Sequence, residues 1–128
     1  MAAGFQVYFR SESCDLNTAV RALEECGLTV RPQEGYVTVS RTGSPEFDVG
    51  LSTEPWVRFE AAEVSAGTPH ADAMGQCDAR FEVSFESLDA ALDEINTMIE
   101  IQVALQEACN GYQFLSWNGN LSGPGQSQ

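Results

Sequence analysis

Hydrophobic residues recur with a helical period over residues 86–110, the longest periodic stretch in the chain. At about 100° per residue, Leu88, Ala91, Leu92, Ile95, Met98, Ile99, Leu105 and Cys109 share one broad apolar side. Glu86, Asp93, Glu100 and Glu107 recur every seven residues on the opposite side, with Asp89 beside them and Glu94 toward one flank. The pattern predicts one long helix whose outer face is a line of negative charge roughly 30 Å long. A second helical stripe runs through Leu16, Ala19, Val20, Leu23 and Cys26. Ser13 or Asp15 can cap its start, and Gly27 supplies the positive φ that ends it.

Elsewhere the period is two. Phe5, Val7 and Phe9 alternate with Gln6 and Tyr8, the signature of a half-buried strand. Short runs at 28–31, 36–41 and 46–51 are separated by turn chemistry, Pro32-Gln33-Glu34-Gly35 and Thr42-Gly43-Ser44-Pro45. Residues 56–63 are read as a further strand with Val57 and Phe59 on its core side, and residues 80–86 and 112–117 as two more. Between them, residues 64–79 are small, mostly polar and aperiodic, and read as a long mobile loop holding the only histidine, His70. Residues 119–128, rich in Gly, Ser, Pro and Gln, read as a flexible tail.

The motif F-x-V-x-F occurs at Phe5–Phe9 and again at Phe81–Phe85, each time followed by a helix, a Cys and Gly pair, and a strand. These units suggest a single α+β domain over residues 1–118. It is a two-layer sandwich with an antiparallel sheet of about six strands, two helices on one face, and pseudo-repeated strand–helix–strand halves.

Charge changes the picture. Nineteen acids oppose six arginines with no lysine, a net charge of −13, and residues 81–128 hold seven acids without one Arg or Lys. Such a field repels nucleic acid and anionic membrane and accelerates encounter with basic proteins. Glu86 and Asp89 have a local reason to exist, since acids favour a helix N-terminus. Glu107, near the other end, has none, and no basic residue on this helix pairs with the acids at i,i+4.

Four dispersed cysteines form no C-x-x-C, no run reaches the ~18 apolar residues of a membrane span, and the N-terminus lacks a signal-peptide pattern, so a cytosolic protein with reduced thiols is expected. No phosphate loop, calcium loop or zinc spacing occurs, which implies neither cofactor nor metal. A histidine-based nucleophile would depend on His70 in a flexible loop, a poor mount for catalytic geometry.

The expectation is therefore a non-enzymatic interaction protein that presents Glu86, Asp89, Asp93, Glu100 and Glu107 to a basic partner. Its concrete form is an inhibitor or immunity-type protein directed at a nucleic-acid-acting protein. Tyr8, Tyr36 and Trp56 are expected on the uncovered side of the sheet, as a binding surface or a homodimer contact. The alternatives are a small-molecule-binding or enzymatic domain with a site near residues 64–79, and an accessory subunit of a larger complex.

Overall fold

The computed structural model describes residues 3–123. It is an open α+β sandwich whose seven strands all pair antiparallel, with helices packed on both faces of the sheet. Strands β1 (Ala3–Phe9), β2 (Thr29–Pro32), β3 (Tyr36–Ser40), β4 (Phe47–Ser52), β5 (Ala79–Phe85), β6 (Tyr112–Leu115) and β7 (Asn120–Ser122) lie in the order β2-β3-β4-β5-β1-β6-β7. The helices are α1 (Leu16–Glu25), α2 (Trp56–Ser65), α3 (Ala71–Met74), α4 (Leu88–Asp93) and α5 (Ile95–Cys109).

The two F-x-V-x-F motifs pair with each other at the centre of the sheet, Phe5 opposite Val83 and Val7 opposite Phe81. Alternation puts Phe5, Val7, Phe9, Phe81, Val83 and Phe85 on one face, where Phe9 and Phe81 stack with ring centroids 4.7 Å apart. Val37, Val39, Phe47 and Val49 extend that apolar carpet, and Ala19, Leu23, Ala91, Met98, Ile101 and Leu105 press down on it from α1, α4 and α5. The halves are not equivalent around this pair. The strand beside β1 follows α5 directly, whereas the strand beside β5 is reached only after the β2–β3 hairpin.

Helix α1 forms where its stripe predicts. Asp15, in extended backbone, accepts the Thr18 amide at 2.8 Å, and Gly27 at φ 82° lets its own amide and that of Leu28 close on the Glu24 and Leu23 carbonyls. The second helical stretch is not continuous. Glu94, at φ −112° and ψ 48°, breaks it into α4 and α5. Ser87 caps the first piece by accepting the Ala90 amide. Left-handed Asn110 ends the second. At Gly111 the chain passes so close to β1 that a Cβ would lie 2.8 Å from the Tyr8 carbonyl oxygen.

Besides this break, and the presence of helices on both faces of the sheet rather than one, three further segments differ from the sequence expectation. Residues 56–63 are helix α2, not a strand. Turning by 100° per residue separates Val57, fully buried, from Phe59, 74% exposed, although a period of two would place them together. Residues 64–79 are not an open loop: α2 continues to Ser65, α3 occupies Ala71–Met74, and Met74 and Cys77 are buried. Asn120–Ser122 is not a frayed tail but pairs with β6 as β7, while residues 124–128 lie outside the described residues.

Tyr8, Val57, Ala61, Met74 and Cys77 form a second cluster on the other face of the sheet, packed against Tyr112, Phe114 and Leu121. Helices α2 and α3 thus roof β1, β6, β7 and the Arg80 end of β5, and leave Tyr36, Asp48, Gly50 and Glu82 exposed or half-exposed. Truncating Phe81 to Ala, which empties a fully buried site, is expected to cost about 3–5 kcal/mol in urea denaturation. Phe59→Ala should change stability by less than about 0.5 kcal/mol, whereas a core-facing strand residue would show a loss like that of Phe81.

Candidate functional site

The described surface carries seven large exposed hydrophobic side chains, and the fold sorts them into two sets. Tyr36, Trp56 and Phe59 stand on the partly open face of the sheet. Leu92, Ile95, Ile99 and Val103 follow one another at spacings of three, four and four residues along α4 and α5. A sequence reading of one continuous helix puts Leu92, Ile95 and Ile99 inward. The break at Glu94 instead lets α5 settle on Thr97, Met98, Ile101, Gln102, Ala104, Leu105, Gln106 and Cys109, so part of the apolar sector faces outward.

Buried glutamine contributes to this rotation. Gln106, only 6% exposed, points its side-chain amide at the carbonyl oxygens of Gly111, Ser122 and Gly123, at 3.1, 3.2 and 2.9 Å. It ties the end of the β6–β7 hairpin beneath α5. A buried amide left without such acceptors would cost about 1–3 kcal/mol, so Gln106 adds to the burial of Met98, Ile101 and Leu105 in setting which side of the helix lies down.

Glu86, Asp89, Asp93 and Glu107 are exposed, and Glu100 is half-buried. Glu100 differs from the rest. Its carboxylate is 2.6 Å from the Arg41 guanidinium, which also donates to the Cys26 carbonyl oxygen at 3.2 Å and so joins the β3–β4 turn, α1 and α5. Arg10, Arg31 and Arg80 are likewise paired, with Glu12, with Glu46, and with Glu60 and Glu82. Most of the nineteen acids therefore have no arginine partner, and the α4–α5 surface keeps Glu86, Asp89, Asp93, Glu94 and Glu107 unpaired among the described residues.

On the other side of the sheet, Tyr8 is not available as a surface group. It is 1% exposed beneath α2, where its hydroxyl donates to Glu60. Arg80 donates to the same Glu60 and to Glu82, and its guanidinium lies 4.6 Å from the centroid of the Trp56 ring. This bound cation lets a polar row sit under a helix. Sequence reasoning missed α2 as the lid because residues 56–63 satisfy both periods over so short a run. Tyr36 and Trp56 remain on the surface at 40% and 43% exposure. Tyr36 borders a shallow cavity of about 280 Å³ over Gly50, with Asp48, Glu82 and Ser84 around it.

A cavity of about 420 Å³ is an open groove between α1 and the β2–β3 hairpin, lined by Leu16, Val20, Val30 and Tyr36 among others. Near residues 64–79 one cavity is about 230 Å³, with Cys77 and Cys109 in its wall and His70 outside it. His70 instead packs its ring 5.3 Å from that of Tyr112. Burial pushes the Cys77 thiol up to about 11 and Cys109 higher still, the wrong direction for a nucleophile. Among the described residues no group of three or more His, Cys, Asp or Glu side chains is placed to hold a metal ion, and no helix is long and apolar enough to cross a membrane.

No family model, curated protein or solved structure matches this chain.

Burial, with the Glu60 carboxylate beside it, raises the Tyr8 phenol far above its ordinary value of 10.0. The unfolded chain therefore ionises first, and the stability Tyr8 contributes is complete below about pH 10 and lost as pH rises beyond it. Urea midpoints measured from pH 9 to 11.5 should fall less steeply for Tyr8→Phe than for the native chain.

Proposed function

We infer that this chain is a non-enzymatic, cytosolic interaction protein that holds a basic protein partner on its α4–α5 surface. The observation that carries this reading is the coincidence of two features on one surface. Four of the seven large exposed hydrophobics line up there, and the acids around them have no Arg or Lys anywhere in residues 81–128. Aliphatic side chains at about 40% exposure in a row mark a contact surface more than a solubility device does. The acids give encounter speed and selectivity for a basic partner. Nucleic-acid-acting proteins carry basic surfaces for their own substrates, so inhibition of such a protein is the concrete role proposed.

The immobilised chain should retain a basic protein from native lysate at low salt and release it at high salt. With that protein purified, Asp93→Asn combined with Glu107→Gln should lower the association rate by a factor on the order of three at low salt, with little change in dissociation. Glu100→Gln should alter that rate less, because Arg41 already neutralises Glu100. Unchanged association of the Asp93/Glu107 variant would move the interface elsewhere.

A further inference from the structure

We propose that the element docking on this surface is a basic amphipathic helix, which lays an apolar seam along Leu92, Ile95, Ile99 and Val103. This inference rests on the reading of the α4–α5 surface as the partner site and specifies what that partner presents. The four side chains are 42%, 39%, 37% and 43% exposed. Ile95, Ile99 and Val103, four residues apart along α5, make a ridge about 12 Å long, with Leu92 on α4 beyond the break at Glu94.

The backbone discriminates between shapes of partner. Successive side chains along the α5 ridge rise by about 6 Å, close to the roughly 6.6–6.8 Å between same-face side chains of a strand, but a strand laid on aliphatic side chains leaves its backbone N–H and C=O groups without partners. A second helix pairs its own backbone and has rows of side chains at the same rise. It can set its own apolar residues between these at a shallow crossing angle, with axes about 8–10 Å apart.

Charge selects the kind of helix. Asp89, Asp93 and Glu107 are exposed in α4 and α5, and neither helix contains a basic residue. A second copy of this chain laid helix against helix would bring acids against acids, in a molecule of net charge −13. Lys or Arg beside the partner's apolar seam removes that conflict, as charged flanking positions do in paired helices. The matching sequence pattern is three to four turns with apolar residues at 3-4 spacing and basic residues on both sides.

Anisotropy titration with three labelled 18-residue peptides tests this. One carries Leu at 3-4 spacing with flanking Lys, one has the same composition scrambled so that no seam forms, and one replaces Lys by Glu. The seam-bearing basic peptide should bind, gain helical circular dichroism on binding, and exceed the scrambled peptide in affinity by about tenfold or more; the Glu peptide should not bind. Ile99→Gln with Val103→Gln, at exposed positions, should keep the native circular dichroism and lower seam-peptide affinity by about tenfold. Asp93→Asn with Glu107→Gln should weaken both basic peptides.

Equal binding of the seam and scrambled peptides, sensitive to Asp93 and Glu107 but not to Ile99 and Val103, would overturn the helix and leave the charge-based partner surface standing. Basic peptides that ignore all four positions, or fail to bind, would overturn both. A dimer in sedimentation that Ile99→Gln dissociates would make the occupant a second copy and overturn the proposal.

Discussion

Everything in the molecule is hung on the pairing of β1 with β5. Phe5 faces Val83 and Val7 faces Phe81, so two alternating strands at the middle of the sheet put their phenylalanines and valines on one side. A register slip of one residue would turn either set to the other face. The aromatic side then has to be covered, and α1, α4 and α5 are the elements that cover it. The other side inherits Tyr8 and Arg80, which are polar at their tips and large, and α2 closes over them. Glu60 on that helix meets both the hydroxyl and the guanidinium.

The roof over the second face is partial, and that has consequences. It protects Tyr8, Tyr112 and Phe114 but leaves β2 to β5 with Tyr36, Asp48, Gly50 and Glu82 exposed or half-exposed. The cavity there, over Gly50, is shallow. The buried thiols are shifted away from reactivity by the same desolvation that stabilises their packing.

Helix α5 carries apolar residues on both sides: Met98, Ile101, Leu105 and Cys109 lie inward together with Thr97, Gln102 and Gln106, while Ile95, Ile99 and Val103 stand outside. The Gln106 amide holds the open end of the β6–β7 hairpin from the inward side, and Asp89, Asp93 and Glu107 are exposed on α4 and α5. Arg41 pairs with Glu100 and joins α1 to α5.

The sequence by itself determined the α+β class, the antiparallel pairing, α1 with its Gly27 stop and a cap at Ser13 or Asp15, and the acidic character of the second helical region. These follow from local periodicity, capping chemistry and charge, which act over a few residues. The tertiary structure alone decided that residues 56–63 coil rather than extend, that Tyr8 is buried, that Asn120–Ser122 joins the sheet, and that Leu92, Ile95 and Ile99 face outward. Each depends on a partner distant in the chain: Glu60 meeting Tyr8 and Arg80, β6 receiving β7, Gln106 meeting the carbonyls near residue 122. A wide apolar sector on a helix states that some of it will be buried. Which part lies down is chosen by the sheet beneath it, because only there can the polar groups on the same side find their hydrogen bonds.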